Sequence, residues 1–165
     1  MNPLALATTA AHPIHVETAP GRSGPSLPDS QAAGSTILIV DDDAPMRLLL
    51  ERYLDLLSYE AVLAADGEEA LRIAGENPHI ALVMLDVVMS GISGQELAER
   101  LMILLPKAPI LFCSGHPARA LARLGINLES GQFMQKPCRP LELKQRLSEM
   151  LAAPAQTRNS PQRGQ

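Results

Sequence analysis

The sequence predicts an α/β domain that is doubly wound around a five-stranded parallel sheet. Five short runs, most of them rich in Ile, Val and Leu, alternate along the chain with segments of helical periodicity. The first and third runs are apolar throughout, which is typical of strands buried on both faces of a parallel sheet. These two runs stop at Asp41 and Asp86, and ligands bind beyond the carboxyl ends of such strands.

The first half of the domain contains two strands and two helices. After a strand at residues 36–40, residues 45–58 have the spacing of a helix with one buried face. Leu48 and Leu56 fall outside that face and are expected to touch a neighbouring helix. A second strand at 60–64 precedes a helix that begins at Asp66, with acids in its first turn, and ends near Gly75. The face predicted to be buried on the first helix consists of Met46, Leu49, Leu50, Tyr53, Leu54 and Leu57.

The second half repeats the alternation. Pro106 and Pro109 bracket the turn into the fourth strand, and Gly125 ends the fourth helix. Apolar residues at helical spacing predict the inward faces of the third and fifth helices. The predicted elements are strands at about 79–85, 110–114 and 131–135, and helices at 94–105, 117–124 and 140–152.

The two ends of the chain differ in composition from its middle. Residues 1–34 are rich in Ala, Thr, Pro, Gly and Ser without strand or helix periodicity, and residues 153–165 are polar. Such segments do not have enough apolar surface to fold, so both are predicted to be disordered tails. We therefore expect a single domain at residues 35–152.

Charge and hydropathy exclude several functions. The net charge of −4 argues against nonspecific nucleic-acid binding, which needs a basic surface. No apolar run approaches the roughly 18 residues of a membrane span, and no cation precedes Arg22 to mark a secretory signal. A cytoplasmic protein without membrane insertion is predicted.

Acidic residues at the strand ends are the strongest indication of a functional site. Asp43 precedes Ala44 and Pro45 and fits a helix N-cap, but capping does not explain the other acids. Clustered carboxylates repel one another unless a cation neutralises them, and hard oxygen ligands suit Mg²⁺. The polar residues expected at this edge of the sheet are Asp41, Asp42, Asp86, Ser114 and Lys136.

The chain resembles the receiver domain of two-component response regulators. The resemblance covers about residues 35–151 and rests on Ile37-Leu-Ile-Val-Asp-Asp-Asp43, Leu82-Val-Met-Leu-Asp-Val-Val-Met-Ser-Gly91, Ser114 and Lys136-Pro137. It implies a flavodoxin-like (βα)5 fold with strand order 2-1-3-4-5, here as a stand-alone single-domain type. It also implies that Asp86 takes a phosphoryl group from a phosphohistidine.

The resemblance further implies the ligands of a Mg²⁺ ion. Asp42 is expected to bind the metal directly and Asp41 mainly through water. Asp86 and the backbone carbonyl of Val88 are expected to complete the protein ligands.

The same resemblance assigns roles to residues on the later strands. Lys136 is expected to bind phosphoryl oxygens as a mobile charge, and Ser114 is expected to donate its hydroxyl to another oxygen. Ser114 and the aromatic Phe133 are the expected conformational switch. Ser90 stands where proline is common in the family, which is expected to loosen the loop after Asp86.

The implied partners are proteins. The phosphoryl donor would be a sensor histidine kinase or a histidine phosphotransfer protein, and the switch would signal to an unknown downstream protein. The chain is not expected to be an enzyme, beyond catalysing its own phosphorylation and dephosphorylation.

Two other functions remain open at the level of sequence. Asp41 and Asp43 also resemble the nucleophile and acid of haloacid-dehalogenase-type phosphatases. However, the further acidic pair of that family does not follow Lys136, and Asp86 stays unexplained. The second alternative is a receiver-like binding module that is never phosphorylated, although such domains usually lack an acid or the lysine.

Overall fold

The five predicted strands form one parallel sheet. The computed structural model describes residues 34–123 and 132–153, and within them the strand order is β2-β1-β3-β4-β5. Every neighbouring pair is parallel, so the predicted flavodoxin-like order is confirmed. The strands are β1 (Thr36–Val40), β2 (Glu60–Ala64), β3 (Leu82–Asp86), β4 (Ile110–Ser114) and β5 (Phe133–Gln135).

Helices cover both faces of this sheet. Because β3 is buried along its whole length, its side chains enter two separate apolar cores. One core lies between the sheet and the second and third helices, and the other lies under the first and fifth helices. The helices are α1 (Ala44–Leu56), α2 (Gly67–Glu76), α3 (Gly94–Leu104), α4 (Ala118–Arg123) and α5 (Pro140–Ala152).

The start of α1 fixes the direction of the chain after β1. Asp43 is the N-cap, and its side chain accepts a hydrogen bond from the backbone N–H of Met46. Pro45 lies in the first turn, where a missing N–H costs nothing. The predicted capping role of Asp43 is thereby confirmed, which leaves Asp41 and Asp42 for other functions.

The buried face of α1 is narrower than its sequence pattern predicted. Leu50 and Leu54 are buried, but Leu49 is 40% exposed, so its predicted burial is wrong. Leu48 and Leu56, which were expected to touch a neighbouring helix, are 57% and 78% exposed. Leu49 points about 100° around the helix from the buried Leu50, at the edge of the stripe.

Several element ends also differ from the predicted ones. The first helix ends at Leu56 because Ser58 adopts a positive φ of 63°. The third strand begins later than predicted and includes Asp86, whose Cα is the ladder partner of Cys113. Asp86 therefore belongs to the sheet and is held by it.

Some predicted segments lie outside the described residues. Both tails lie outside, apart from Gly34 and Ala153. Residues 124–131 also lie outside, and they include the predicted end of the fourth helix and the predicted start of the fifth strand. The proposed domain boundaries therefore stay predictions. In the described part of the chain, no helix combines the length and apolar character needed to cross a membrane.

Candidate functional site

The carboxyl ends of four neighbouring strands place the predicted site residues on one edge of the sheet. Asp41 directly follows β1, Asp86 ends β3, Ser114 ends β4 and Lys136 directly follows β5. The backbone N–H of Lys136 donates to the carbonyl of Ser114 at 2.8 Å, which fixes the approach of the last strand to its neighbour. Parallel pairing thus assembles residues that lie up to 95 positions apart in sequence.

Lys136 joins two of the aspartates. Its Nζ lies 2.6 Å from Asp41 Oδ2 and 2.6 Å from Asp86 Oδ2. The side chains are largely withdrawn from solvent, with exposed fractions of 12% for Lys136, 2% for Asp41 and 10% for Asp86. Low exposure strengthens both ion pairs relative to pairs on an open surface.

Burial and pairing act in opposite directions on these groups. Burial raises the pKa of Asp41, and the hydrogen bond and charge of Lys136 only partly offset that effect. Burial lowers the pKa of Lys136, but hydrogen bonds to Asp41 and Asp86 outweigh it and raise the pKa above its ordinary value. Lys136 is therefore a firmly charged cation between two carboxylates.

Backbone N–H groups hold the remaining oxygens of the same two carboxylates. Asp41 Oδ1 accepts the N–H of Asp43 at 3.0 Å, and Asp86 Oδ1 accepts the N–H of Val88 at 3.0 Å. Arg47, on α1, also donates to the backbone carbonyl of Asp41. Both carboxylates are thus fixed in orientation before any ligand binds.

Asp42 completes a cluster of three acids. Among the described residues, one carboxylate oxygen from each of Asp41, Asp42 and Asp86 lies within 4.8 Å of the others. Asp41 and Asp86 are buried, while Asp42 is exposed, so the cluster is open to solvent on the side of Asp42. Oxygen donors with an open side suit Mg²⁺, which usually keeps several waters and binds through a few carboxylates. The residues therefore fit that ion.

Ser114, Val88 and Phe133 occupy different surroundings. Ser114 is fully buried, and its hydroxyl oxygen accepts the N–H of His116 at 3.1 Å. Val88 lies next to the cluster through its N–H bond to Asp86, and the residue is 49% exposed. Phe133 is half-buried on β5, opposite Phe112. Its switching role stays a prediction.

The sequence reasoning missed Ser90 as a part of the site. Both its N–H and its hydroxyl donate to Asp42 Oδ2, at 3.0 and 3.3 Å. The expected loosening of this loop is therefore not observed, because Ser90 ties the loop to the acidic cluster. The sequence did contain a signal for this contact, because Ser90 has a backbone N–H at a position where proline is common in the family.

A family model for the response regulator receiver domain matches residues 37–148. The chain belongs to this family. Receiver domains are the phosphoacceptor modules of two-component signalling and bind Mg²⁺ at an acidic pocket, and this chain has a cluster of three aspartates. Membership decides against the haloacid-dehalogenase alternative with Asp41 as nucleophile.

Curated relatives and solved structures are consistent with this assignment. The chain is 38% identical over 119 residues to the probable transcriptional regulator ycf27 of Cyanophora paradoxa, covering 70% of this chain and 47% of the relative. It is 32% identical over 135 residues to the alkaline phosphatase synthesis transcriptional regulatory protein PhoP of Bacillus subtilis, covering 78% and 56%. The chain thus spans about half the length of these relatives.

Two solved receiver domains have the same fold. The receiver domain of the hybrid histidine kinase CckA is 36% identical, with a TM-score of 0.59, and the match covers 71% of this chain and 99% of that one. A CheY-like receiver protein from Methanospirillum hungatei is 26% identical, with a TM-score of 0.63, and the match covers 72% and 94%. The similarity extends over nearly the whole of each of these domains.

Proposed function

We propose that Asp86 is the residue that accepts the phosphoryl group, and that the site around it is built for that transfer. The observation that carries this proposal is the position of Asp86 at the end of β3, where it belongs to the acidic cluster and is paired with the cation of Lys136. A carboxylate attacks an anionic phosphoryl group poorly unless charge is neutralised and the attack is held in line. This site contains candidate groups both for neutralising the charge and for holding the attack in line.

Different residues have different roles in the proposed phosphoryl transfer. The N–H of Val88 holds Asp86 Oδ1 and so orients the attacking carboxylate. Mg²⁺, when bound by Asp42, Asp86, the carbonyl of Val88 and, through water, Asp41, would neutralise charge on the phosphoryl oxygens. Lys136 already reaches Asp86 and would move its ammonium onto a phosphoryl oxygen.

Ser114 is proposed to report the reaction to the rest of the domain. Its hydroxyl is buried at the end of β4 and would turn toward a phosphoryl oxygen, with Phe133 following on the neighbouring strand. A change of this kind at the edge of the sheet would alter the surface formed by α4, β5 and α5. Arg119 and Arg123 are exposed on α4, and we propose an acidic downstream protein as the reader of that surface.

The phosphoryl donor is proposed to be a sensor histidine kinase or a histidine phosphotransfer protein. The receiver family interacts with proteins of these two classes, and the domain has the acceptor residues that such a transfer requires. A cytoplasmic location, where these donors present their phosphohistidine, stays part of the proposal.

The test is phosphorylation with a small donor that needs no partner. The full chain is incubated with acetyl phosphate and Mg²⁺, and intact-mass and peptide mass spectrometry locate the added phosphoryl group. We expect it on Asp86, and we expect none in Asp86→Asn, whose amide oxygen can still accept the N–H of Val88 but whose NH₂ group cannot accept from Lys136. A wild-type protein that folds, binds Mg²⁺ and takes up no phosphoryl group would instead be a receiver-like binding module.

A further inference from the structure

The loop that follows Asp86 contacts the acidic cluster through one residue. Ser90 donates twice to a single oxygen, Asp42 Oδ2, from its backbone N–H at 3.0 Å and from its hydroxyl at 3.3 Å. The two residues are 48 positions apart and follow different strands. This contact therefore joins the loop after β3 to the start of α1.

The position of Ser90 is set by the rest of its loop. Met89 and Ile92, on either side, pack against the core between the sheet and α2 and α3. Gly91 adopts a positive φ of 90°, a conformation that glycine adopts without strain. The two donors of Ser90 are thus presented to Asp42 by a backbone that is anchored elsewhere.

Asp42 is the member of the cluster that most needs such support. Lys136 holds Asp41 and Asp86 from a largely buried position, whereas Asp42 is exposed. An exposed side chain must give up rotamer freedom when it binds a metal. Two neutral donors on Oδ2 restrict that freedom and add no positive charge that would repel a cation.

We propose that Ser90 is a positioning residue that holds Asp42 in place for Mg²⁺. Because this role rests on the proposed Mg²⁺ site, it deepens that function by naming what sets the metal affinity in this chain. Hydrogen bonds to metal-ligating carboxylates from surrounding residues commonly raise metal affinity. A proline at this position lacks both the N–H and the hydroxyl, so it would leave Asp42 without either contact.

The test is a series of substitutions at Ser90, read by isothermal titration calorimetry of the full chain with MgCl₂. Ser90→Ala keeps the N–H and loses the hydroxyl, so we expect the Mg²⁺ dissociation constant to rise about threefold. Ser90→Pro loses both donors, and we expect a rise of about tenfold, the low end of effects from outer residues. Ser90→Thr keeps both donors and should bind Mg²⁺ as the wild type does.

Ser93→Ala is the matched control. Its hydroxyl lies in the same loop but accepts the N–H of Glu96 at 3.2 Å as the N-cap of α3. This variant should lose stability equally with and without Mg²⁺ and keep the wild-type dissociation constant. If Ser90→Ala and Ser90→Pro behave in that way too, Ser90 is merely structural and the inference is overturned.

Each remaining outcome also decides the matter. Tighter Mg²⁺ binding in Ser90→Ala would mean that Ser90 competes with the metal, which contradicts a positioning role. If Ser90→Pro does not fold, the contrast between Ser90→Ala and Ser90→Thr carries the test. If the wild type binds Mg²⁺ and is phosphorylated on Asp86, but the Mg²⁺ dissociation constant is the same in all the Ser90 variants, only the role of Ser90 is overturned. If the wild type does not bind Mg²⁺, both proposals are overturned.

Discussion

The ammonium of Lys136 donates to Asp86 and to a second carboxylate, and its Nζ lies 2.6 Å from Asp86 Oδ2. The second partner, Asp41, is held at the same distance. One cation thus compensates part of the repulsion among three acids. Lys136 therefore contributes to stability before it contributes to phosphoryl transfer, and the two contributions can be measured separately.

Replacing Lys136 by Met should destabilise the protein in a pH-dependent way. Removing one partner of a buried ion pair costs about 3 kcal/mol. Because pairing raises the pKa of Lys136 above 10.5, its stabilising effect is full below that pH and is lost as pH rises through the raised pKa. Urea unfolding without Mg²⁺ should show a constant difference from neutral pH to about 10.5 that shrinks above it.

The control for this prediction is Lys107→Met, since Lys107 is exposed. It should change the free energy of unfolding by about 0.5 kcal/mol or less. A difference between wild type and Lys136→Met that grows at alkaline pH would show that the pairing with Asp41 and Asp86 is not what Lys136 contributes.

Mg²⁺ should raise the melting temperature of the wild type. The ion binds the assembled cluster and not the unfolded chain, which adds about 2.7 kcal/mol at a hundredfold excess over the dissociation constant. Asp42→Ala should abolish the shift, since it removes the exposed ligand. Asp55→Ala, an exposed acid on α1 outside the cluster, should keep it. Equal stabilisation of wild type and Asp42→Ala would place the metal at another site.

Gly94→Ala should damage the site from the start of α3. A Cβ at this position would lie 2.9 Å from the Cα and the carbonyl oxygen of Val87 and 3.0 Å from the carbonyl oxygen of Asp86. These are backbone atoms, so α3 or the loop must shift, and overpacking of this kind costs about 1–3 kcal/mol. We expect lower stability and slower phosphorylation by acetyl phosphate.

Gly75→Ala is the matched control for that substitution. Gly75 is helical, and a Cβ there would have no neighbour within 4 Å. Alanine is the better helix former by roughly 0.5–1 kcal/mol, so this variant should be as stable as the wild type or more stable. If Gly94→Ala behaves like Gly75→Ala, the close approach of α3 to Asp86 is unimportant.

The fold was predictable because its signals are local. Apolar runs and helical spacing identified the ten elements of the described residues, and the limits of β1, β2, β4 and α5 were correct to the residue. Burial of single leucines was not predictable. Leu49 and Leu50 are adjacent and chemically identical, but they point about 100° apart around α1, and one is 40% exposed while the other is buried.

Sequence patterns predicted that the charged side chains would lie together, and they missed the contact made by Ser90. Asp41, Asp42, Asp86 and Lys136 are recognisable by residue type at strand ends, and the structure brings them together. The contact of Ser90 depends on an N–H that almost every residue has. Its use is decided by the path of the loop, which sequence patterns do not describe.

The final prediction concerns the lifetime of the phosphoryl group on Asp86. Hydrolysis needs a water in line with the bond to phosphorus, and the resemblance to receiver domains implies that Val88 and His116 flank this approach. Val88 is 49% exposed, and its side chain has no polar group to orient a water. The backbone N–H of His116 is already engaged with the Ser114 hydroxyl, and its ring is expected to turn to solvent.

We therefore expect a long-lived phosphoryl group and faster loss of it in Val88→Asn. An amide that orients the water should accelerate hydrolysis toward the low end of the roughly 10²–10⁴-fold range of such assistance. Val88→Ala, which changes size but not polarity, should decay at the wild-type rate. The measurement is the decay of phosphorylated protein after acetyl phosphate is removed. Wild-type decay within seconds that His116→Ala slows strongly would contradict this prediction and make His116 the residue that limits the lifetime.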